Sequence, residues 1–237
     1  WMVGGGKGML GHDVVAALAG DEVVSVDRDE VDIVDPVAVS QLVRDVDVVV
    51  NCAAYTAVDA AEANEAIAFA VNAVGPANLA RAARAAGARL VHVSTDYVFD
   101  GEASQPYPVG APLAPRSAYG RTKAAGEWAV RAETPDHLIV RTAWLYGAHG
   151  PCFPKTIARV ARQNGGVDVV QDQEGQPTWT VDLAGLIVRL VRSGAPSGTY
   201  HGTSEGRTTW YDFARAVVGA AGLDPQIVRP TTSSDFQ

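Results

Sequence analysis

The stretch Gly4-Gly5-Gly6-Lys7-Gly8-Met9-Leu10-Gly11 limits the fold more than any other. It sits directly behind the apolar stub Trp1-Met2-Val3 and ahead of a helical run, His12 to Ala19. Gly5, Gly8 and Gly11 give the spacing G-x-x-G-x-x-G. A glycine turn between a strand and a helix lets backbone N–H groups approach a pyrophosphate at the helix N-terminus. That reading needs the strand–loop–helix context, and the context is present.

The following pattern continues the alternation. Glu22–Val26 reads as a strand, and Pro36–Arg44 as a helix opened by Asp35. Asp47–Val50 and Leu90–Val93 are short apolar runs of the buried parallel type. Glu62–Ala73 and Pro76–Ala86 read as helices, and His137–Val140 as a further strand. Strand alternating with helix predicts an α/β fold with a doubly wound parallel sheet. Ligands then gather at the carboxyl ends of the strands.

Those ends carry the chemistry. Strand 2 runs into Asp27-Arg28. An acid about 20 residues past the glycine turn suits a ribose 2′-hydroxyl, whereas an arginine suits a 2′-phosphate, so NADH and NADPH both stay open. Strand 3 runs into Asn51-Cys52-Ala53-Ala54-Tyr55-Thr56, whose small residues let a flat cofactor lie against the backbone. Strand 4 runs into Ser94-Thr95-Asp96-Tyr97, answered downstream by Tyr119-Gly120-Arg121-Thr122-Lys123. In Tyr-x-x-x-Lys the two side chains share one face of a helix. The ammonium is expected to lower the tyrosine pKa, which suits proton transfer near neutral pH. Thr95 can hold the same substrate oxygen, and these three groups around one carbonyl suit a ketone reductase. Trp144, at the end of strand 5, could be a stacking platform or a packed aromatic.

A Pro-rich loop from Gly101 to Arg116 reads as an active-site rim. From Gly150 the grammar changes. Helices are expected over Phe153–Gln163, Val181–Arg192 and Trp210–Gly222, with strands at Val167–Val170 and Gly198–Gly202. The expected division is a dinucleotide-binding domain over 1–150 and a smaller substrate-binding lobe over 151–237, interleaved with it. That lobe is expected to be incomplete at the C-terminus.

The net charge of −8 gives no support to a nucleic-acid role, and no apolar run reaches membrane-spanning length. The two cysteines, Cys52 and Cys152, lack metal-type spacing, so no metal is expected and the setting is read as reduced and cytoplasmic.

Several motifs together resemble the dTDP-4-dehydrorhamnose reductases, a family of extended short-chain dehydrogenases/reductases. The carriers are Gly5-x-x-Gly8-Met9-Leu10-Gly11, Asn51 to Glu62, Ser94 to Gly101, Tyr119-Gly-x-x-Lys123-x-x-Gly-Glu127, Arg141-Thr-x-Trp144 and Asp172-Gln-x-Gly175-x-Pro-Thr178. The resemblance implies a Rossmann-like fold and reduction of the C4 ketone of a dTDP-4-keto-6-deoxyhexose by NADPH or NADH. The product would be dTDP-L-rhamnose or a related deoxysugar. It implies Thr95, Tyr119 and Lys123 as the catalytic set, and Thr95, Asp96 and Trp144 as substrate contacts. Gly5, Gly8, Met9, Leu10, Gly11, Asp27, Asp32, Ile33, Ala54, Tyr55 and Thr56 would meet the cofactor, with Tyr119 and Lys123. Lys7 and Gly4 depart from the family pattern, as does Tyr55, where some members have His. The resemblance leaves room for a homodimer. Two alternatives share the fold: a sugar-nucleotide epimerase, and a nucleotide-binding regulatory subunit like that of methionine adenosyltransferase. A 4,6-dehydratase is disfavoured because Asp96 is followed by Tyr97 rather than Glu.

Overall fold

The computed structural model describes residues 1–235, so Phe236 and Gln237 at the end of the expected lobe lie outside the described residues. The chain divides into two compact units, Trp1–Thr142 with Val181–Gly202, and Ala143–Thr180 with Thr203–Gln237.

In chain order the first unit contains β1 (Met2–Gly4), α1 (Met9–Ala17), β2 (Val24–Val26), α2 (Pro36–Leu42) and β3 (Val48–Asn51). Next come α3 (Val58–Ala63), α4 (Glu65–Phe69), a π-helical turn (Ala70–Val74), α5 (Gly75–Ala86), β4 (Arg89–Thr95), α6 (Ala118–Glu133) and β5 (His137–Thr142). The second unit then supplies β6 (Leu145–Tyr146), α7 (Phe153–Asn164), β7 (Val167–Val170), β8 (Glu174–Gly175) and β9 (Thr178–Trp179). The chain continues with α8 (Thr180–Arg192) and β10 (Gly198–His201), then β11 (Thr208–Thr209), α9 (Trp210–Ala220) and β12 (Val228–Thr231). No helix among the described residues is long and apolar enough to cross a membrane.

The first unit is built on one six-stranded sheet in the order β10-β5-β4-β3-β1-β2. All its pairings are parallel. The expected doubly wound, Rossmann-like sheet is what forms. Its central strands are covered on both faces, which is why Val48–Val50 and Leu138–Val140 read as unbroken apolar runs and are buried. The edge strand β2 is largely exposed instead. Strand order reverses between β1 and β3, so the crevice at their carboxyl ends is the switch point of the sheet.

Helix starts follow local chemistry. Asp35 accepts hydrogen bonds from the Val37 and Ala38 amides, as its place before Pro36 predicts. Ser117 accepts from the Gly120 amide, so α6 starts at Ala118 and Tyr119 lies in its first turn. The helix expected over Glu62–Ala73 is instead broken into α3, α4 and the π turn. Asn64 leaves helical geometry at φ −129° and its amide donates to the Ala60 carbonyl, competing with the backbone ladder.

The second unit has short two-stranded pairings, β6–β9 and β7–β12 parallel and β8–β11 antiparallel. Its core joins α7, α9, β7 and β12 through Ile157, Ala161, Val169, Ala214, Val218 and Val228. Phe153, Trp210 and Tyr211 pack against that core.

Candidate active site

The glycine turn closes against the end of β3. Gly5 has φ +75°, and a Cβ there would stand 2.7 Å from the Ala53 nitrogen. The left-handed backbone and the close approach both demand glycine. A Cβ on Gly11 would fall 2.1 Å from the Gly5 carbonyl oxygen, so α1 packs directly on the turn. Gly8 is the N-cap of α1, and no side chain caps the first helical N–H groups. Such a turn fits a dinucleotide pyrophosphate. Met9 is half-buried and Leu10 is a core residue.

Asp27 follows β2. One carboxylate oxygen accepts the Lys7 amide at 3.0 Å and the other accepts the Arg28 amide at 2.8 Å. The acid is thereby tied to the glycine turn. The Lys7 ammonium pairs with Asp29 at 2.6 Å and Glu30 at 2.8 Å on the surface. Asp32 accepts the Val34 amide in a local turn. Ile33 is buried in the core, where a Cβ on Gly75 would meet its side chain at 2.5 Å.

Beyond β3, Tyr55 is held by a side chain rather than by a neighbouring strand. Asn72, buried on the π turn, accepts the Tyr55 amide at 2.8 Å and donates to the Tyr55 carbonyl at 3.1 Å. Its amide also donates to the Thr122 hydroxyl at 3.0 Å, which donates to the Tyr119 carbonyl at 2.8 Å. Three elements are linked by one buried amide. Ala54 is half-buried and Thr56 exposed beside it.

The structure brings Thr95, Asp96 and Tyr119 together. The Thr95 hydroxyl donates to Asp96 at 3.0 Å and accepts the Tyr97 amide at 3.2 Å. Burial raises the Tyr119 pKa well above its ordinary value; the neighbouring Thr95 hydroxyl offsets part of this, and Asp96 and Tyr97 add to the rise. The Tyr119 ring also meets Tyr97 edge-on at 5.5 Å. Burial likewise raises Asp96, against the Thr95 hydrogen bond.

The expected ammonium-driven fall in the tyrosine pKa is therefore not what this arrangement produces. Lys123 is 2% exposed, and its ammonium donates to the Val93 carbonyl at 2.7 Å. Burial pulls its own pKa down to about 8, against the opposing influence of Glu127. The sequence placed a cation near a phenol but did not show that desolvation acts on both. A phenol kept neutral is a proton donor, not a base.

Below this group lies a buried ion cluster. Glu127, fully buried one turn after Lys123, takes bidentate hydrogen bonds from Arg141 at 2.8 Å each. Ser94 and Arg131 each donate to it at 2.7 Å. Burial pushes the Glu127 carboxyl up, but the Arg141 and Ser94 hydrogen bonds prevail and hold it below its usual range. The cluster fastens α6 to β4 and β5. The loop over 101–116 is fastened there too, since Arg141 donates to the Val109 carbonyl at 2.9 Å and Tyr107 stacks on Phe99 at 4.3 Å.

Trp144 belongs to the second unit. It has φ +48°, an uncommon conformation for a bulky residue, and its ring stacks on Trp210 at 3.5 Å and 13°. Of the two readings open from the sequence, packed aromatic describes at least one face of this indole.

The comparisons with known proteins agree with one another. The RmlD substrate binding domain family matches residues 1–237. A curated relative from Streptomyces niveus, named dTDP-4-keto-6-deoxy-D-glucose reductase, is 51% identical over 98% of this chain and 82% of its own length. This chain belongs to that reductase family. A dTDP-4-dehydrorhamnose reductase structure from Clostridium acetobutylicum is 42% identical with a TM-score of 0.96, over 100% of this chain and 85% of that one. The Bacillus anthracis dTDP-4-dehydrorhamnose reductase, solved in complex with NADP, is 35% identical with a TM-score of 0.94, over 99% of this chain and 84% of that one. Within this reductase family the chain is an NAD(P)H-dependent oxidoreductase.

Sequence reasoning missed three groups. Asn72 lay inside an Ala-rich run expected to be plain helix, where a π turn leaves no composition signal. Glu127 and Arg141 stood inside quoted motifs but received no role, because a charged residue on a helix is usually solvated. Trp210 reads in the sequence only as a helix start.

Proposed function

We propose that Thr95, Tyr119 and Lys123 carry the reduction of the C4 ketone of a dTDP-4-keto-6-deoxyhexose, giving dTDP-L-rhamnose or a related dTDP-deoxysugar. The observation that carries this reading is the half-buried Tyr119 phenol in the first turn of α6, kept neutral by desolvation and set beside Thr95 at the carboxyl end of β4. The names of the relatives support the substrate class.

The bound dinucleotide supplies a hydride to the carbonyl carbon. Gly5, Gly8 and Gly11 let its pyrophosphate approach the N-terminus of α1, and Asp27 faces the ribose. As the carbonyl becomes an alkoxide, Tyr119 gives up its phenolic proton to the oxygen. An alkoxide is more basic than a phenolate, so a raised tyrosine pKa still leaves the transfer downhill. Thr95 hydrogen-bonds the same oxygen and then the phenolate left behind. Lys123 places a cation beside the cofactor ribose and is held there by the Val93 carbonyl. Asp96 accepts the Thr95 proton before the ketone binds, and Thr95 turns that proton from Asp96 to the substrate oxygen. Trp144 meets the sugar nucleotide, and the cytoplasm, where reduced dinucleotide is maintained, is the setting.

The test is an assay on dTDP-4-keto-6-deoxyglucose, with and without a 3,5-epimerase, comparing NADH and NADPH. Substrate-dependent oxidation of one of the dinucleotides, with formation of a dTDP-6-deoxyhexose, is expected. No oxidation with either, on substrate that a known reductase consumes, rejects the reading.

A further inference from the structure

The motif Asp172-Gln-x-Gly175-x-Pro-Thr178 has no role in the chemistry above, yet two of its residues, Gly175 and Thr178, meet Trp144. A Cβ on Gly175 would stand 2.4 Å from Cε2 of the Trp144 indole, 2.6 Å from Cζ2 and 2.9 Å from Nε1. The ring therefore lies against the bare backbone of β8. The Thr178 amide donates to the Trp144 carbonyl at 3.2 Å, and β9 pairs with β6 in the register Leu145↔Thr178 and Tyr146↔Trp179. The motif thus fixes both the indole and the backbone that bears it.

Trp210 fixes the ring from another side. It stacks on Trp144 at 3.5 Å and 13°, and it opens α9 directly after β11. β11 pairs with β8 through Thr208↔Gly175 and Thr209↔Glu174, so one short ladder delivers both Gly175 and Trp210 to the indole. Phe153 packs on Trp210 in turn, with centroids 4.4 Å apart. A tryptophan at φ +48° is a strained position that its surroundings must over-determine. These contacts supply that constraint.

We propose that Gly175 and Trp210 are positioning residues for substrate recognition: together they lock the Trp144 indole in the one orientation that meets the sugar nucleotide. This rests on the reading that Trp144 touches the substrate. Because Trp210 already covers one indole face, Trp144 offers the ligand its remaining surface and Nε1–H rather than an open slot for intercalation. Glycine at 175 follows from the lack of space beside the ring, not from backbone freedom.

The experiment is a set of variants assayed with dTDP-4-keto-6-deoxyglucose pretreated with a 3,5-epimerase: Trp144→Phe, Gly175→Ala, Trp210→Phe and the two pairings with Trp144→Phe. Gly175→Ala should raise the KM for the sugar nucleotide roughly tenfold or more, because displacing a recognition group by about 1 Å is costly. The kcat and the cofactor Kd should change by no more than about twofold. Trp210→Phe, the milder change, should raise the same KM by about threefold to fivefold. It should also abolish the exciton couplet that a stacked indole pair gives in circular dichroism. Neither change should raise KM further once Trp144 is Phe, since coupled residues are non-additive. If Trp144→Phe raises KM but Gly175→Ala and Trp210→Phe do not, the positioning role is wrong and the contact stands. Full additivity in the pairings would overturn it as well. A normal KM in Trp144→Phe would overturn both the contact and the inference. Should Gly175→Ala fail to fold, the Trp210→Phe arm and its pairing decide alone.

Discussion

In the unit formed by Trp1–Thr142 and Val181–Gly202, Lys123, Glu127 and Arg141 are all buried. In the other unit, the buried polar side chains among the described residues are the hydroxyls of Thr178 and Thr180. Its core is apolar, and rings meet there: Trp144 on Trp210, Phe153 on Phe213, Tyr146 on Phe213. Buried charge is costly unless it is paired, and rings are not. The contrast separates two tasks. The first unit holds reagents whose protonation matters, and accepts the desolvation that sets it. The second holds shape.

The sharpest way to break this contrast is to remove the charge that supports the others. Glu127→Gln leaves Arg141 buried with half its partner gone, and should cost about 3–5 kcal/mol of unfolding free energy. Denaturant titration measures it. The Glu127 pKa is depressed in the fold, so its stabilisation is present above the ordinary carboxylate pKa of about 4.3 and lost as pH falls below it. A loss below about 1 kcal/mol at pH 7 would mean that the cluster is not the structural support described.

Lys123 is a cost to stability where Glu127 is a support. Its folded pKa of about 8 lies below the unfolded value of about 10.4. The unfolded chain then binds more protons across that window, so stability rises as pH climbs from about 8 to about 10.4. Lys123→Met removes the buried charge, and should stabilise the protein by about 1–3 kcal/mol at pH 7 while removing activity. It should also flatten that pH dependence. Equal destabilisation at pH 7 and pH 10 would show instead that the hydrogen bond to Val93 outweighs the charge.

The smallest effect belongs to the ring side. Phe213→Leu trims one member of the aromatic group and should cost about 1–1.5 kcal/mol, equally at pH 6 and pH 9. A strong pH dependence there would contradict the division of tasks.

The legible parts of the molecule were those where composition and geometry agree. Val48–Val50 reads as a central strand because a strand covered on both faces must be apolar throughout. Asp35-Pro36 reads as a helix start because the acid caps and the proline needs no partner for its missing N–H. Tyr119 and Lys123 were legible as a pair, since helical spacing sets their common face. Their protonation was not, because desolvation depends on what is packed above them from α3, α4 and β4. Asn72 was hidden for a related reason: its three hydrogen bonds join residues 17 and 50 positions away. Trp210 and Gly175 meet Trp144 only through a ladder of two residues per strand, too short to leave a periodic signal.

The central claim is that the half-buried phenol at position 119, kept neutral by desolvation, delivers the proton. Tyr119→Phe keeps the ring and removes only the donor. With saturating cofactor and dTDP-4-keto-6-deoxyhexose, its kcat should fall by about 10²–10⁴-fold while the cofactor Kd stays within about twofold. A Tyr119→Phe protein that turns over at the wild-type rate would contradict the account.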